Sequence, residues 1–139
     1  MIEAQKVTIT KYGAAEDMLF ENFEMDEALE PDQVLVDVHY SGINFADIVM
    51  RLGFYKEAPA KPFVPGYELS GVITAVGSGV QDLKVGDKVM AGTRFGGYVS
   101  KVKLDQKLAI KLNDDADLKQ AAALPVNFIT AHIALNEFG

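Results

Sequence analysis

The sequence predicts a mainly β domain, a barrel of short strands followed by helices. Two observations carry this. Short β-branched and aromatic segments recur through most of the chain with glycine-bearing turns between them, the pattern of a barrel-like β domain. In the last quarter the hydrophobic period changes from alternation to helical spacing. At 139 residues the chain is one domain by length and long enough to bury a core.

The elements follow in order. "KVTIT" and "MLFENFEM" flank the turn-like "KYGAAED" and read as paired strands. "QVLVDVHY" places Val34, Val36, Val38 and Tyr40 on one face. "NFADIVMRLG" switches to helical spacing, with Phe45, Ile48, Val49 and Leu52 on one stripe and Gly53 placed to stop it. "FYKEAPAKPFVPG" carries Pro59, Pro62 and Pro65 and is expected as an ordered loop without regular structure. Strands resume at "LSGVITAV", "DKVMAG", "GGYVSKVKL" and "KLAIKL". "NDDADLKQAAAL" opens with acidic caps before a helical run. "PVNFITAHIALNEFG" starts with Pro125, a good first-turn residue, and is expected as an amphipathic helix presenting Phe128, Ile129, Ile133 and Leu135. Only the preceding β domain is expected to be available for it to pack against.

Composition narrows the function. A formal charge of -7 and a pI near 4.7 argue against affinity for nucleic acid or an anionic membrane. The absence of cysteine excludes disulfides and any thiolate metal site. No apolar run approaches a membrane span and the N-terminus has no signal-peptide core, so a soluble, cytoplasmic protein without an integral membrane segment is expected.

Gly77-Ser78-Gly79 after the strand "GVITAV" poses the question of a dinucleotide fingerprint. That motif requires a third glycine at its sixth position and a helix whose N-terminal amides meet the pyrophosphate. Asp82 holds the sixth position and "LKVGDKVMA" follows with strand character. The loop is therefore expected not to bind phosphate, and Gly77, Gly79 and Gly86 are expected to supply positive-φ turns.

The same stretch is informative in another way. "PGYELSGVITAVGSGVQDLKVGDKVMA", with "SGINFADIVMRLGFY" before it and "GGYVSKVKLDQKLAIKLNDDADLKQAAALPVNFITAH" after it, closely resembles the medium-chain dehydrogenase/reductase superfamily. "NFAD" and "VNFITA" are most similar to the zinc-independent quinone oxidoreductase branch, including its vesicle amine transport protein-like members. The resemblance implies a GroES-like, partly open β-barrel catalytic domain over residues 1–124, and a helix over 125–139 that links to a nucleotide-binding Rossmann domain. It implies NADPH as cofactor, bound mainly by that second domain and not by this chain. In the zinc-dependent branch a cysteine stands where Asn44 does and a histidine where Tyr67 does. Neither Asn44 nor Tyr67 makes a plausible ligand set for catalytic zinc, and His39 and His132 cannot build a site alone, so no metal is expected. Losing the metal favours conjugated carbonyls. Hydride addition to a quinone or enone spreads charge over an enolate that hydrogen-bond donors stabilise, whereas a simple ketone concentrates it on one oxygen.

By resemblance the catalytic candidates are Asn44, Tyr55 and Tyr67, and the cofactor-binding candidates are Asn44, Asn127 and Thr130. Asn44 also reads as an N-cap for the helix that follows. Tyr55 and Tyr67 also read as packing aromatics. Asp47 is expected to be structural, orienting Asn44 or pairing with Arg51 at i,i+4, and Glu68 to support the site from behind. The substrate implied is a small quinone or α,β-unsaturated carbonyl, and this chain alone is expected to be inactive. The alternative is a non-enzymatic binding or interaction domain. On that alternative the terminal helix predicts a homo-oligomer through its apolar stripe.

Overall fold

The computed structural model describes all 139 residues. Strands β1 (Ile2–Thr8) and β2 (Leu19–Met25) form an antiparallel hairpin joined through a single 3₁₀ turn at Ala15–Asp17. The main sheet holds β3 (Gln33–Ser41), β4 (Glu68–Val76), β5 (Lys88–Gly92), β6 (Lys101–Asp105) and β7 (Ala109–Lys111) in the order β6-β3-β4-β5-β7, antiparallel throughout. Helix α1 (Phe45–Arg51) leaves β3, α2 (Leu118–Ala121) follows β7, and a π-helical turn at Leu124–Phe128 leads into α3 (Ile129–Glu137). The result is a curled, partly open half-barrel with its helices at one end and few helical residues elsewhere. The predicted fold class and element order both hold.

Alternation along β3 and β4 builds the core. Val34 and Val36 meet Leu69, Ile73, Val89 and Ala91 in one cluster with Leu83, Leu104 and Ala109. Fully burying an Ile or Val side chain of this kind is worth about 1.5–3 kcal/mol. The hairpin is tied on by the bridges Lys6↔Val99 and Ile9↔Phe63. At the second bridge Ile9, Met50 and Phe63 form a smaller core, against which Tyr55, Tyr67 and Phe95 pack. This satellite core holds α1 and the proline loop in place beside the sheet.

Five details depart from the sequence expectation. Tyr40 does not continue the inward face of β3. A register irregularity between Val38 and Tyr40 shifts the pairing there, and Tyr40 is exposed. In α1 the apolar stripe Phe45, Ile48 and Leu52 faces outward, while Asp47 and Met50 are buried. Hydrogen-bond demand from Asp47 sets that rotation, as shown below. Of "GGYVSKVKL" only Lys101–Asp105 is strand, because the residues before it hydrogen-bond to β1 through Val7 N to Tyr98 O and Ser100 N to Gln5 O. The terminal helix is exposed at every position, and its apolar residues are spread around it rather than gathered on one side.

The glycines form the fifth correction. Gly86 does take a positive φ of 92°, but Gly77 and Gly79 do not. Gly77 serves close approach: a Cβ there would overlap the Glu30 and Pro31 carbonyl oxygens, with the Gly77 amide donating to Gln33 O at 2.7 Å. The G-x-G therefore packs β4's end against the loop before β3, and no helix follows it. The turn after it is closed by Asp87, which accepts from the Lys84 amide at 3.0 Å and pairs with Lys111 Nζ at 2.9 Å.

Two outcomes follow for stability. Gly77→Ala is expected to lower urea-unfolding stability by about 1–3 kcal/mol through backbone overlap, whereas Gly79→Ala, whose nearest neighbours would stand at 3.1 and 3.2 Å, should cost clearly less. The Lys111 hydrogen bond holds the Asp87 carboxyl below its ordinary value. A depressed carboxylate contributes stability above its unfolded value near pH 4, lost as pH falls through the folded value. The wild-type advantage over Lys111→Met should thus be full at pH 7 and shrink below about pH 4, as read by thermal unfolding across pH.

Candidate active site

Two buried carboxylates organise the ground around α1. Asn44 is the N-cap of that helix in extended conformation, and Asp47, at the third helical position, accepts the Asn44 backbone N–H at 2.9 Å. The same carboxylate accepts the Gly66 amide at 3.2 Å and the Tyr98 hydroxyl at 3.0 Å. It thus joins the start of α1, the end of the proline loop and the segment before β6. Three donors on Asp47 explain why α1 turns its polar edge inward, since an unsatisfied buried carboxylate costs more than an exposed phenylalanine. Arg51 does not pair with Asp47; its guanidinium donates to the Gly13 carbonyl at 2.6 Å. At the other end of α1, Gly53 takes a φ of 84°. Its amide donates to Met50 O and the Phe54 amide to Val49 O, a Schellman stop.

Glu68, the first residue of β4, is fully buried. Its Oε1 accepts from Asn44 Nδ2 at 3.0 Å and Asn127 Nδ2 at 2.7 Å. Its Oε2 accepts the Val126 amide at 2.8 Å and the Asn127 amide at 3.4 Å. Gly42 leaves the space this side chain occupies, since a Cβ there would overlap the carboxylate. Sequence reasoning anticipated Glu68 only as background support. Its partners include two backbone amides some sixty residues away, for which no local pattern exists.

Around these anchors opens a cleft of about 520 Å³, lined by Asn44, Phe45 and Ala46 of the α1 start, by Tyr55 and Tyr67, and by Val126, Asn127, Thr130, Ala131 and Ala134 of the terminal segment. All five candidate residues, Asn44, Tyr55, Tyr67, Asn127 and Thr130, therefore line one space. Asn44 is buried and Asn127 and Thr130 are exposed. Both side-chain N–H groups of Asn127 are committed within the chain, to Glu68 and to the Ile43 carbonyl at 3.3 Å, so toward the cleft it offers its carbonyl oxygen. The Tyr67 ring packs on Phe95 at a centroid distance of 5.8 Å, and Phe95 meets Phe63 edge-on. Phe54 is exposed. Burial pushes the Tyr67 hydroxyl well above its ordinary range, helped by the Tyr55 hydroxyl and by the charges of Asp47 and Glu57, so Tyr67 stays a neutral donor at physiological pH. Burial and Asp47 do the same to Tyr98, a residue the sequence did not single out. No group of three or more His, Cys, Asp or Glu side chains is placed to hold a metal ion. His39 is exposed, and His132 stacks on Phe128 at 6.4 Å and meets Asn136.

Comparison with known proteins then decides the family. The model of the alcohol dehydrogenase GroES-like domain matches residues 30–114. The chain belongs to that family. This GroES-like domain is 39% identical over 96% of its length to the zebrafish (Danio rerio) synaptic vesicle membrane protein VAT-1 homolog, of which it covers 28%. It is 41% identical over 76% of its length to the rat (Rattus norvegicus) quinone oxidoreductase-like protein 2, covering 30% of that protein. Among solved structures, human synaptic vesicle membrane protein VAT-1 homolog-like protein superposes with a TM-score of 0.89 at 31% identity, over 99% of this chain and 44% of that one. Escherichia coli quinone oxidoreductase complexed with NADPH superposes with a TM-score of 0.82 at 29% identity, over 96% and 41%. The domain spans about a third of the length of its curated relatives, in the medium-chain dehydrogenase/reductase superfamily and its quinone oxidoreductase branch.

Tyr98→Phe should cost about 1.5–3 kcal/mol in chemical unfolding, the worth of one hydrogen bond to a charged acceptor. The far-ultraviolet circular dichroism should change little, because only the hydroxyl is removed and the ring is retained.

Proposed function

We propose that the GroES-like domain is the substrate-side half of a zinc-independent reductase that transfers hydride from NADPH to quinones or α,β-unsaturated carbonyls. The observation that carries this is the single cleft lined together by Asn44, Tyr55 and Tyr67, side chains that donate hydrogen bonds without a metal. In support stand relatives named as quinone oxidoreductase-like and a superposable quinone oxidoreductase complexed with NADPH.

The lining fits the nicotinamide end of such a cofactor. The Asn127 carbonyl oxygen and the Thr130 hydroxyl are an acceptor and a donor–acceptor suited to a carboxamide. No Lys or Arg lines the cleft, so it offers the phosphates no partner. When bound, the reduced nicotinamide supplies the hydride. The chain's own part is to position and to stabilise. Tyr55 and Tyr67 present hydroxyl donors to the oxygen on which enolate charge develops, and donors fixed before reaction need no reorganisation at that moment. Asn44 has one N–H committed to Glu68 and a second for the substrate or the ribose. Phe45 and the alanines of α3 make the remaining wall apolar, which suits a planar conjugated molecule and keeps water from competing for the donors.

The naturally occurring full-length protein, assayed by NADPH oxidation at 340 nm against benzoquinones and conjugated enones, should turn over in the presence of a strong chelator. Tyr55→Phe is expected to lower kcat by about 10²-fold, and Asn44→Ala to lower kcat/KM by a comparable factor. Because the Tyr67 phenol is held above its ordinary value near 10, any alkaline loss of kcat that depends on it should lie above about pH 10. Absence of turnover with every quinone and enone would defeat the proposal and favour an interaction module of the kind that the vesicle-protein relatives suggest.

A further inference from the structure

The donors that converge on Glu68 come from two segments of the cleft lining that are far apart in sequence and meet otherwise through Asn127 Nδ2 and the Ile43 carbonyl at 3.3 Å. Asn44 belongs to the α1 start on one side. Val126 and Asn127 belong to the segment that carries Thr130 on the other. No cation is among the partners of this carboxylate: six salt bridges occur in the chain and Glu68 is in none. A charge buried this completely is tolerable only while its N–H donors stay in place, so the carboxylate pulls both walls to fixed positions.

Val126 and Asn127 lie in the first turn after Pro125, where amides have no intrahelical acceptor, and Glu68 supplies one from another strand. The turn is π-helical, with the Phe128 amide reaching back five residues to the Ala123 carbonyl at 3.1 Å. Single π turns of this sort mark functional positions more often than chance. On the near wall only glycine at position 42 leaves room for the carboxylate, since a Cβ there would overlap it.

From this we infer that Glu68 is a positioning residue that sets the separation between Asn44 and the Thr130 helix, and thereby the distance between substrate and hydride donor. The inference rests on the reductase function proposed above. It assigns Glu68 no contact with either reactant. Its effect belongs on kcat, because a misplacement of the reacting atoms by about 1 Å can cost roughly 10²-fold in rate, whereas the side chains that bind the substrate remain present.

The test compares wild type, Glu68→Gln and Gly42→Ala in the full-length protein by hydrogen–deuterium exchange and steady-state kinetics. Gln keeps the shape but sets an N–H against one of the donors; the alanine methyl crowds the carboxylate without removing it. Expected are amides of residues 124–130 exchanging at least about ten-fold faster, β3 and β4 unchanged, and kcat about 10- to 100-fold lower with KM for quinone within about three-fold of wild type. Glu68→Asp, shorter by one methylene, should fall between wild type and Glu68→Gln and serves where Gln fails to fold. Exchange that is unaltered at 124–130, or loosened exchange with kcat within two-fold of wild type, overturns the inference. A wild-type protein that turns over no quinone or enone defeats the reductase proposal instead, and the exchange arm still reports whether Glu68 holds the two walls.

Discussion

The Glu68 carboxylate is buried without a cation and answered by N–H groups alone, and the placement of the cleft follows from that arrangement. A buried anion demands donors of good geometry, and here they can come only from the N-cap of α1 and the first turn of the terminal segment. Strand β4 is the fixed reference, since its other residues are locked between β3 and β5 in the densest part of the core. Each wall of the cleft is therefore referred to the sheet through one side chain.

Asp47 works in the same sense on a shorter range. By accepting hydrogen bonds from the Asn44 amide, the Gly66 amide and the Tyr98 hydroxyl it orients α1 against the loop that delivers Tyr67. The cost appears on the other side of the helix, where Phe45, Ile48 and Leu52 are left facing outward. Met50 is the one large apolar side chain of α1 that goes inside, into the small cluster with Ile9 and Phe63. Polar satisfaction overrode hydrophobic periodicity at this helix, which is why the periodic stripe pointed to the wrong face. The exposed apolar edge and the Phe45 contribution to the cleft have the same origin.

Elsewhere periodicity was a sound guide. The β3 valines, the strand that begins at Glu68, the Pro-rich loop and the Gly53 stop are legible because each depends on neighbours in sequence. The register shift at Tyr40, the partial strand after Gly97 and the close packing of Gly77 depend on what lies across the sheet, and no window of sequence contains it. The site divides along the same line. Asn44, Tyr55, Tyr67, Asn127 and Thr130 could be picked out only through the resemblance of whole motifs, as each alone has an ordinary structural explanation. Tyr98 and the backbone amides of Val126 and Asn127 had no signal: a tyrosine in a strand-like segment and a main-chain N–H look alike in every sequence.

What the sequence determined by itself was a mainly β architecture, the order of its elements and the lack of thiolate ligands, because composition, alternation and turn chemistry act over a few residues at a time. The tertiary structure alone decided which face of α1 is buried, that five scattered polar residues line one cleft, and that a carboxylate at the start of β4 ties the two sides of that cleft together. Those outcomes turn on hydrogen bonds between groups up to 84 positions apart, and the satisfaction of a buried charge is a property of the assembled fold rather than of any segment.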